Sequence, residues 1–523
     1  MRGGRVVAVS TVSALVLAVL HLILPATGSD LSAQVARAGF FADHGAALVD
    51  LRWYGGVHPW GYSLVSPPLM ALLGVRLTGA LALLASATAF AALLVRTRVP
   101  RPLLGSLVGV ATIAGNLVSG RVTYALGVAF GLAALLALTV PARRARPVAA
   151  VAAALLASAA SPVAGLFVGL AGAALLLTRR YADGLLLAVP AAVPLAVTGL
   201  LFGEGGWMNI STADTVHAVV TSLVVAALVA YRPARVGALL SAAGVLASAL
   251  LHTPVGLNAT RLVVMFALPV LAAAATLPAP LSDRLRVAGR RSRVIGAAGL
   301  AALLAVVCWW QPPVVTADLR SADDPTADPA YFAPLRAELG RRGLTGRVEV
   351  PPTRNYWEAA HMGDVPLARG WLRQADIDRN PLFFTTVPGA SGTGVPLTPI
   401  TYRDWLADNA VQYVAVPAAE LSWVGSSEAK LVEMGQPYLT EVWSDRHWKL
   451  YAVAEPTPLV GAPGVLVRQD GASITFRAPA AGPIPIRVRH TRWLTATGGA
   501  TVTRDGTWTT VTVPREGTYT LTS

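Results

Sequence analysis

The chain has 523 residues, 54% of them hydrophobic and only 13% charged, with a mean hydropathy of +0.56; so much apolar surface excludes an ordinary soluble enzyme and reads as an integral membrane protein. The net charge of +14 would suit a nucleic-acid partner, but it is lopsided: residues 1–312 hold 22 Arg and no Lys against 7 acidic residues, whereas residues 313–523 hold 20 basic and 21 acidic ones. The basicity belongs to the apolar half, where it sets orientation and calls for no nucleic acid, and the single cysteine, Cys308, leaves no disulfide framework or Cys-based metal site.

In chain order, apolar runs of spanning length predict about eleven transmembrane helices, at 5–28, 78–95, 103–119, 122–140, 148–160, 163–178, 185–202, 215–231, 236–251, 262–278 and 294–311. The first reads as an uncleaved helix, because its apolar stretch exceeds the ~7–15 residues of a signal-peptide core and no clear A-x-A cleavage site follows it. Arginines fall at every second connection: Arg2/Arg5, Arg96/Arg98/Arg101, Arg143/Arg144/Arg146, Arg179/Arg180, Arg232/Arg235 and Arg284/Arg286/Arg290/Arg291/Arg293. This positive-inside pattern predicts a multi-pass plasma-membrane protein with a cytoplasmic N-terminus and everything beyond about residue 312 outside.

The expected domains are a transmembrane domain over 1–312 with a first extracytoplasmic loop at 30–67, an extracytoplasmic α/β domain over 313–455 and a small β-sandwich over 456–523. In the α/β part, "TADPAYFAPLRAELGRRG" reads as a helix, and "GRVEVPP", "VQYVAVP" and "YLTEVWSDRHWKLYAV" read as strands. Beyond residue 456, "ASITFRAP", "IPIRVRH", "TWTTVTVP" and "GTYTLTS" alternate apolar and polar residues between turns. The sequence contains no P-loop, no H-E-x-x-H and no G-x-S-x-G.

With the cytoplasmic arginines explained by orientation, the charges left for the outer face of residues 1–312 are Asp30, Arg37, Asp43, Asp50, Arg52, Arg76, Arg121, Glu204, Asp214 and Arg261. No span carries a charge in its middle, which speaks against a proton relay or an ion-coupled transporter. Acids and arginines at the outer surface suit a substrate whose head group is outside and whose tail is in lipid. Asp30, which ends the first apolar run at "GSDLSAQ", reads equally as the N-cap of a following helix. Arg121 and Arg261 read equally as interfacial residues that snorkel, the aromatics of "LRWYGGVHPWGYSLVSPP" as an interfacial belt, His58 as a loop hydrogen-bond donor, and Asp43 and Asp50 as solvated residues. In the C-terminal region, Trp357, Glu358, His361, Arg369 and Trp371 form a polar-aromatic stretch that reads as a glycan site or, more conservatively, as domain core or a surface that docks onto the membrane half.

The layout resembles the GT-C superfamily of polyprenyl-phosphate-dependent glycosyltransferases. The resemblance rests on the helix count, on "SD" at 29–30 after the first helix, on the half-apolar "LSAQVARAGFFADHG", and on the aromatic loop. It extends to "SGRVTYALGVAFGLAALLAL", "NATRLVVMFALP", "RVEVPPTRNYWEAAHMGDVPLARGWLRQADIDRN" and "WLADNAVQYVAVP". The chain departs from that family in having neither an adjacent acidic pair nor a D-x-D in the first loop, and no "WWDYG", so the cofactor is left unassigned, a divalent metal included. The resemblance implies transfer of a sugar from a polyprenyl-phosphate donor to an envelope glycan or lipid acceptor, with membrane lipids around it. It also implies an amphipathic helix along the membrane surface. Asp30 would be the base and Arg121 and Arg261 would hold the phosphate. Arg52, Trp53, Tyr54, His58 and Tyr62 would bind substrate, with Trp60 among the stacking aromatics. Asp30, Arg121 and Arg261 are then expected to converge on one cavity. A non-catalytic scaffold for envelope polysaccharide assembly and a transporter are the alternative classes.

Overall fold

The computed structural model describes residues 3–142, 144–276, 290–385, 389 and 394–523. Arg2, Arg143, Arg284 and Arg286 lie outside the described residues, as do the side chains of Arg290, Arg291 and Arg293. The chain divides into two compact units. The first comprises Met1–Leu31, Tyr62–Leu201 and Met208–Ala322, and the second Ser32–Gly61, Phe202–Trp207 and Asp323–Ser523.

Each predicted apolar run is a helix. The first unit contains α1 (Gly3–Ile23), α3 (Ser66–Leu73), α4 (Val75–Arg96), α5 (Pro102–Val118), α6 (Val122–Ala137), α7 (Ala145–Ala160), α8 (Pro162–Leu177), α9 (Tyr181–Phe202), α10 (Thr212–Leu228), α11 (Arg232–Leu250), α12 (Arg261–Ala274) and α13 (Arg290–Trp310); α2 (Leu31–His44) leads into the second unit. Among the described residues, five helical stretches, Gly3–Ile23, Val75–Arg96, Tyr181–Phe202, Arg232–Leu250 and Gly256–Ala274, are long and apolar enough to cross a membrane, and other apolar helices run 10–17 residues. Their outward faces carry exposed Leu, Val and Trp, such as Leu250 and Trp309, as lipid contact demands. Their inward faces carry small residues. Ala150, Ala154, Ala157 and Ala160 of α7 are fully buried, and a methyl group at Gly127 of α6 would come within 2.6 Å of Ala164, the close backbone approach that drives helix association where lipid is as apolar as Leu. Arginines of the connections also have a local task at helix carboxyl ends. Arg101 donates to the carbonyls of Ala272 (2.8 Å) and Ala275 (2.6 Å), Arg96 to Thr139 (3.2 Å) and Arg235 to Ala226 (3.0 Å), satisfying acceptors that a helix terminus leaves open.

In the second unit, strands β1 (Arg347–Glu349), β2 (Val411–Pro417), β3 (Leu439–Ser444) and β4 (Trp448–Val453) form a sheet in the order β1-β2-β4-β3, with β1 parallel to β2 and the other pairs antiparallel. The near-continuous apolar run of β2 is buried against Phe383, Tyr402, Trp405 and Leu406. Asp445 accepts from the backbone N–H groups of His447 and Trp448, both at 2.8 Å, and closes the β3–β4 turn. Two further sheets, β7-β10-β9 and β5-β6-β11-β8, are built from β5 (Val465–Gln469), β6 (Ser473–Ala478), β7 (Gly482–Arg489), β8 (Thr495–Ala496), β9 (Thr501–Asp505), β10 (Trp508–Val513) and β11 (Gly517–Thr522). Alternate residues Ile474, Phe476, Ile484, Ile486, Val511, Val513, Tyr519 and Leu521 form their common core, and Val49 and Leu51 of the 32–61 segment join it. That segment is woven into the unit: the Leu51 N–H donates to Gly471 (2.8 Å), Arg489 to Gly55 (2.8 Å) and Leu367 to Arg52 (2.7 Å). Helix α2, which the resemblance lays along a membrane surface, is instead buried at most positions from Leu31 to Phe40.

The polar-aromatic stretch is core. Trp357 stacks on His361 at 5.0 Å, and Glu358 accepts from the Thr353 hydroxyl at 2.6 Å. Burial pushes the Glu358 carboxyl up to about 7, against the hydrogen bonds from Thr353 that favour its charged form. A carboxyl raised in the folded state binds its proton more tightly there than when unfolded. Its contribution is therefore full below the ordinary carboxylate range and is lost as pH rises towards and past 7, by roughly 3 kcal/mol. The Glu358→Gln protein is expected to unfold at a higher temperature than wild type at pH 8 and to show a flatter stability profile between pH 5 and 8. Parallel pH profiles of the two proteins would refute this.

Candidate functional site

The site begins at a contact between two turns of the first unit. Gly28 (φ +105°) and Gly120 (φ +73°) both lie in the left-handed region, and a Cβ on Gly120 would come within 2.5 Å of the Leu31 nitrogen. Only glycine fits there. The close approach lets the Asp30 N–H donate to the Ser119 carbonyl at 3.2 Å and sets Asp30 beside Arg121, which precedes α6. Gly120→Ala is therefore expected to lower the unfolding temperature by an amount equivalent to more than about 2 kcal/mol, measured by thermal unfolding of the full chain; an unchanged midpoint would contradict it.

Asp30, only 9% exposed, places Oδ2 3.3 Å from Arg121 Nε and 3.2 Å from Arg261 Nη2. The structure thus brings together the three residues that the sequence singles out from chain positions far apart. The helix that Arg121 precedes, and α12, which opens at Arg261, both direct their amino ends here, adding positive potential to the two guanidinium groups. Tyr62 and Tyr124 lie within electrostatic range of Arg261, and the Arg261 guanidinium sits 5.5 Å from the centre of the Tyr124 ring. The arrangement combines one carboxylate that can accept a proton with two planar donors that can hold an anion.

Tyr124 and Leu262 also line one end of an apolar cavity of about 590 Å³ within the first unit. Its walls come from α4, α6, α8, α10, α11 and α12, and it reaches Thr139 and Thr276, beyond the far ends of α6 and α12. At ~1.5 Å per residue, the 16 residues of α6 make it about 24 Å long. Small residues such as Gly127, Gly131, Ala171 and Gly237 open the space.

The other predicted site residues are engaged elsewhere. In the second unit Arg52 forms a buried bidentate pair with Asp50 (2.8 and 3.0 Å) and donates to the Ala36 carbonyl at 3.0 Å. Trp53 and Tyr54 are buried, the Tyr54 hydroxyl donating to the Gly370 carbonyl. Trp60 donates to Ala47 at 3.0 Å. His58 lies 2.9 Å from the Thr491 hydroxyl through Nε2 and 3.0 Å from Glu204 through Nδ1. Burial pushes Glu204 up, but His58 and Arg379 more than reverse this and hold its carboxyl below the ordinary value. Asp43 is exposed. Among the described residues, no group of three or more His, Cys, Asp or Glu stands at metal-binding distance.

Two residues escaped the sequence reading. Asp318, buried in the "TADL" turn, accepts from the Ser119 hydroxyl (2.6 Å) and the Ser29 N–H (3.2 Å) and so steadies both turns that carry the site; its only sequence signal is an acid just past the last apolar run. Tyr124 stands three residues after Arg121 in a stretch otherwise read as a span.

No protein family and no curated protein matches the sequence. Among solved structures, the chain is similar to a single-particle cryo-EM structure of arabinofuranosyltransferase AftD from Mycobacteria, at 17% identity over 91% of this chain and 41% of that one, with a TM-score of 0.46. It is similar to a mutant form of the same enzyme at 15% identity over 99% of this chain and 60% of that one, with a TM-score of 0.47. The chain thus spans less than two thirds of the length of these proteins.

Proposed function

We propose that this chain is a GT-C-type glycosyltransferase that moves a sugar from a polyprenyl-phosphate carrier to an envelope glycan or lipid acceptor on the outer face of the plasma membrane. The supporting observation is the meeting of Asp30 with Arg121 and Arg261 at the Tyr124 end of an apolar cavity, a place for a phosphate with a long hydrocarbon tail beside it. In this reading the eleven apolar helices cross the membrane with the N-terminus cytoplasmic, and residues 313–455 and 456–523 are extracytoplasmic domains. The acceptor oxygen attacks the anomeric carbon while the bond from that carbon to the phosphate oxygen breaks. The leaving polyprenyl phosphate takes the electron pair and is held by Arg121 and Arg261, and the acceptor proton passes to Asp30. The incoming phosphate competes for the guanidinium donors that Asp30 occupies, which frees a carboxylate oxygen for the acceptor hydroxyl. In this reading Tyr62, within electrostatic range of Arg261, binds the sugar, whereas Arg52, Trp53, Tyr54 and His58 serve the framework of the second unit.

The test is to express the Asp30→Asn protein in the native host and compare envelope glycans and lipid-linked sugars with a deletion strain. The variant is expected to accumulate lipid-linked donor as the deletion does. A wild-type profile from the Asn variant, with an altered one from the deletion, would instead assign the chain to a non-catalytic scaffold.

A further inference from the structure

Tyr124 is 3% exposed, and its hydroxyl has no hydrogen-bond partner among the described residues. A buried hydroxyl without a partner is uncommon and calls for an explanation, because burial removes the water it would otherwise bind. Its position is fixed rather than loose. It stands in the first turn of α6, its ring meets Phe167 edge to face at 6.3 Å, and the Arg261 guanidinium lies over the same ring. That guanidinium is also 3.2 Å from Asp30, so the phenol, the cation and the carboxylate share one neighbourhood. The hydroxyls of Ser222 and Ser241 are likewise unpartnered on the cavity wall, but among the described residues neither has an ion pair or a cation–π contact beside it.

From this geometry we infer that the Tyr124 hydroxyl is a direct ligand of the lipid donor, donating a hydrogen bond to its phosphate at the point where head group gives way to tail. The inference rests on the proposed binding of a polyprenyl phosphate at Arg121 and Arg261. A hydrocarbon tail offers no acceptor, and the arginines offer only donors; a phosphate oxygen held by Arg261 supplies what the phenol lacks. An O–H donated to an anion in an apolar surrounding is among the stronger hydrogen bonds a protein makes. The phenol also distinguishes a charged carrier from a neutral one of the same length.

The test uses the full chain in lipid nanodiscs, titrated with a long-chain polyprenyl monophosphate and, separately, with the matching polyprenol, which lacks the phosphate. Wild type is expected to bind the phosphate more tightly than the alcohol. Tyr124→Phe is expected to weaken binding of the phosphate about tenfold, to leave binding of the polyprenol unchanged, and not to lower the unfolding temperature of the ligand-free protein, since the group removed had no partner. Unchanged phosphate binding in Tyr124→Phe, with binding lost in Arg261→Gln, overturns the role of Tyr124 and leaves the proposed function standing. An equal loss for both ligands with a lower unfolding temperature also overturns it, in favour of a packing role. If wild type does not prefer the phosphate, the phosphate site itself falls, and the glycosyltransferase reading with it.

Discussion

The purified Asp30→Asn protein is expected to bind a polyprenyl phosphate at least as well as wild type and yet to transfer sugar about 10²–10⁴-fold more slowly. Asparagine keeps the volume and one acceptor oxygen but cannot take a proton from the acceptor hydroxyl. It also withdraws the negative charge that Arg121 and Arg261 share, leaving both cations to the donor phosphate. Arg261→Gln should do the reverse, weakening donor binding because a planar two-point donor is lost. The folding cost of Asp30→Asn exceeds that of a surface pair, because the Arg121 and Arg261 side chains retain only 24% and 16% of their exposure and are left beside each other without the carboxylate; about 3 kcal/mol is expected. The two variants thus separate along opposite axes, one in turnover and one in affinity. Retention of full transfer activity by Asp30→Asn would remove the base from the mechanism.

The helices and this cluster were legible in the sequence for the same reason. In a segment as apolar as residues 1–312, a charge is rare, and those not set by membrane orientation are few enough to weigh one by one. Asp30, Arg121 and Arg261 stood out by that scarcity, and the expectation that they would meet came from the resemblance to the GT-C superfamily rather than from any local pattern; the structure brings all three together. Tyr124 carried no such signal, because a tyrosine within an apolar run reads as an interfacial or packing residue; its unpaired hydroxyl is a fact of three dimensions. The reading of residues 30–67 failed for another reason. Val49, Leu51 and Trp53 alternate as a strand does, but their partners, Leu367 and Gly471, lie more than 300 residues later in the chain. Local pattern cannot supply a partner at that separation, and aromatics such as Trp53 and Tyr54 that read as a belt or a sugar platform are buried instead. The stretch around Arg369 was legible as dense and polar, and its conservative reading as core is the one the packing supports.

Arg369 also carries the largest effect expected on folding. Its guanidinium is fully buried, with Nε 2.8 Å from Glu349 Oε1 and Nη2 bonded to Glu428; Tyr402 donates to the second oxygen of Glu428 at 2.9 Å, and the Phe383 ring centre lies 3.8 Å from the guanidinium carbon. Burial alone would lower the Arg369 value, and the carboxylates of Glu349, Glu428 and Asp376 more than reverse it. For Glu349 and Glu428 the balance runs the other way: burial, aided by their mutual repulsion in the case of Glu349, raises both despite Arg369. Replacing Arg369 with Gln leaves two buried carboxyls facing each other without a cation, which is expected to destabilise the protein by about 3–5 kcal/mol at neutral pH. The sign of the pH dependence follows. With the cation gone, both folded-state values rise further above the unfolded ones, so stability is retained at acid pH and lost increasingly as pH rises above the ordinary carboxylate range. The deficit of Arg369→Gln against wild type should therefore be smallest near pH 4 and largest near pH 8. Adding Glu349→Gln and Glu428→Gln should recover part of it, because the uncompensated charge and not the lost packing dominates. Thermal unfolding of the full chain across that range, read by protease resistance of the second unit, measures all three. A deficit independent of pH and untouched by the glutamine substitutions would show that Arg369 acts through its contacts with Phe383 and Trp405 rather than through its charge.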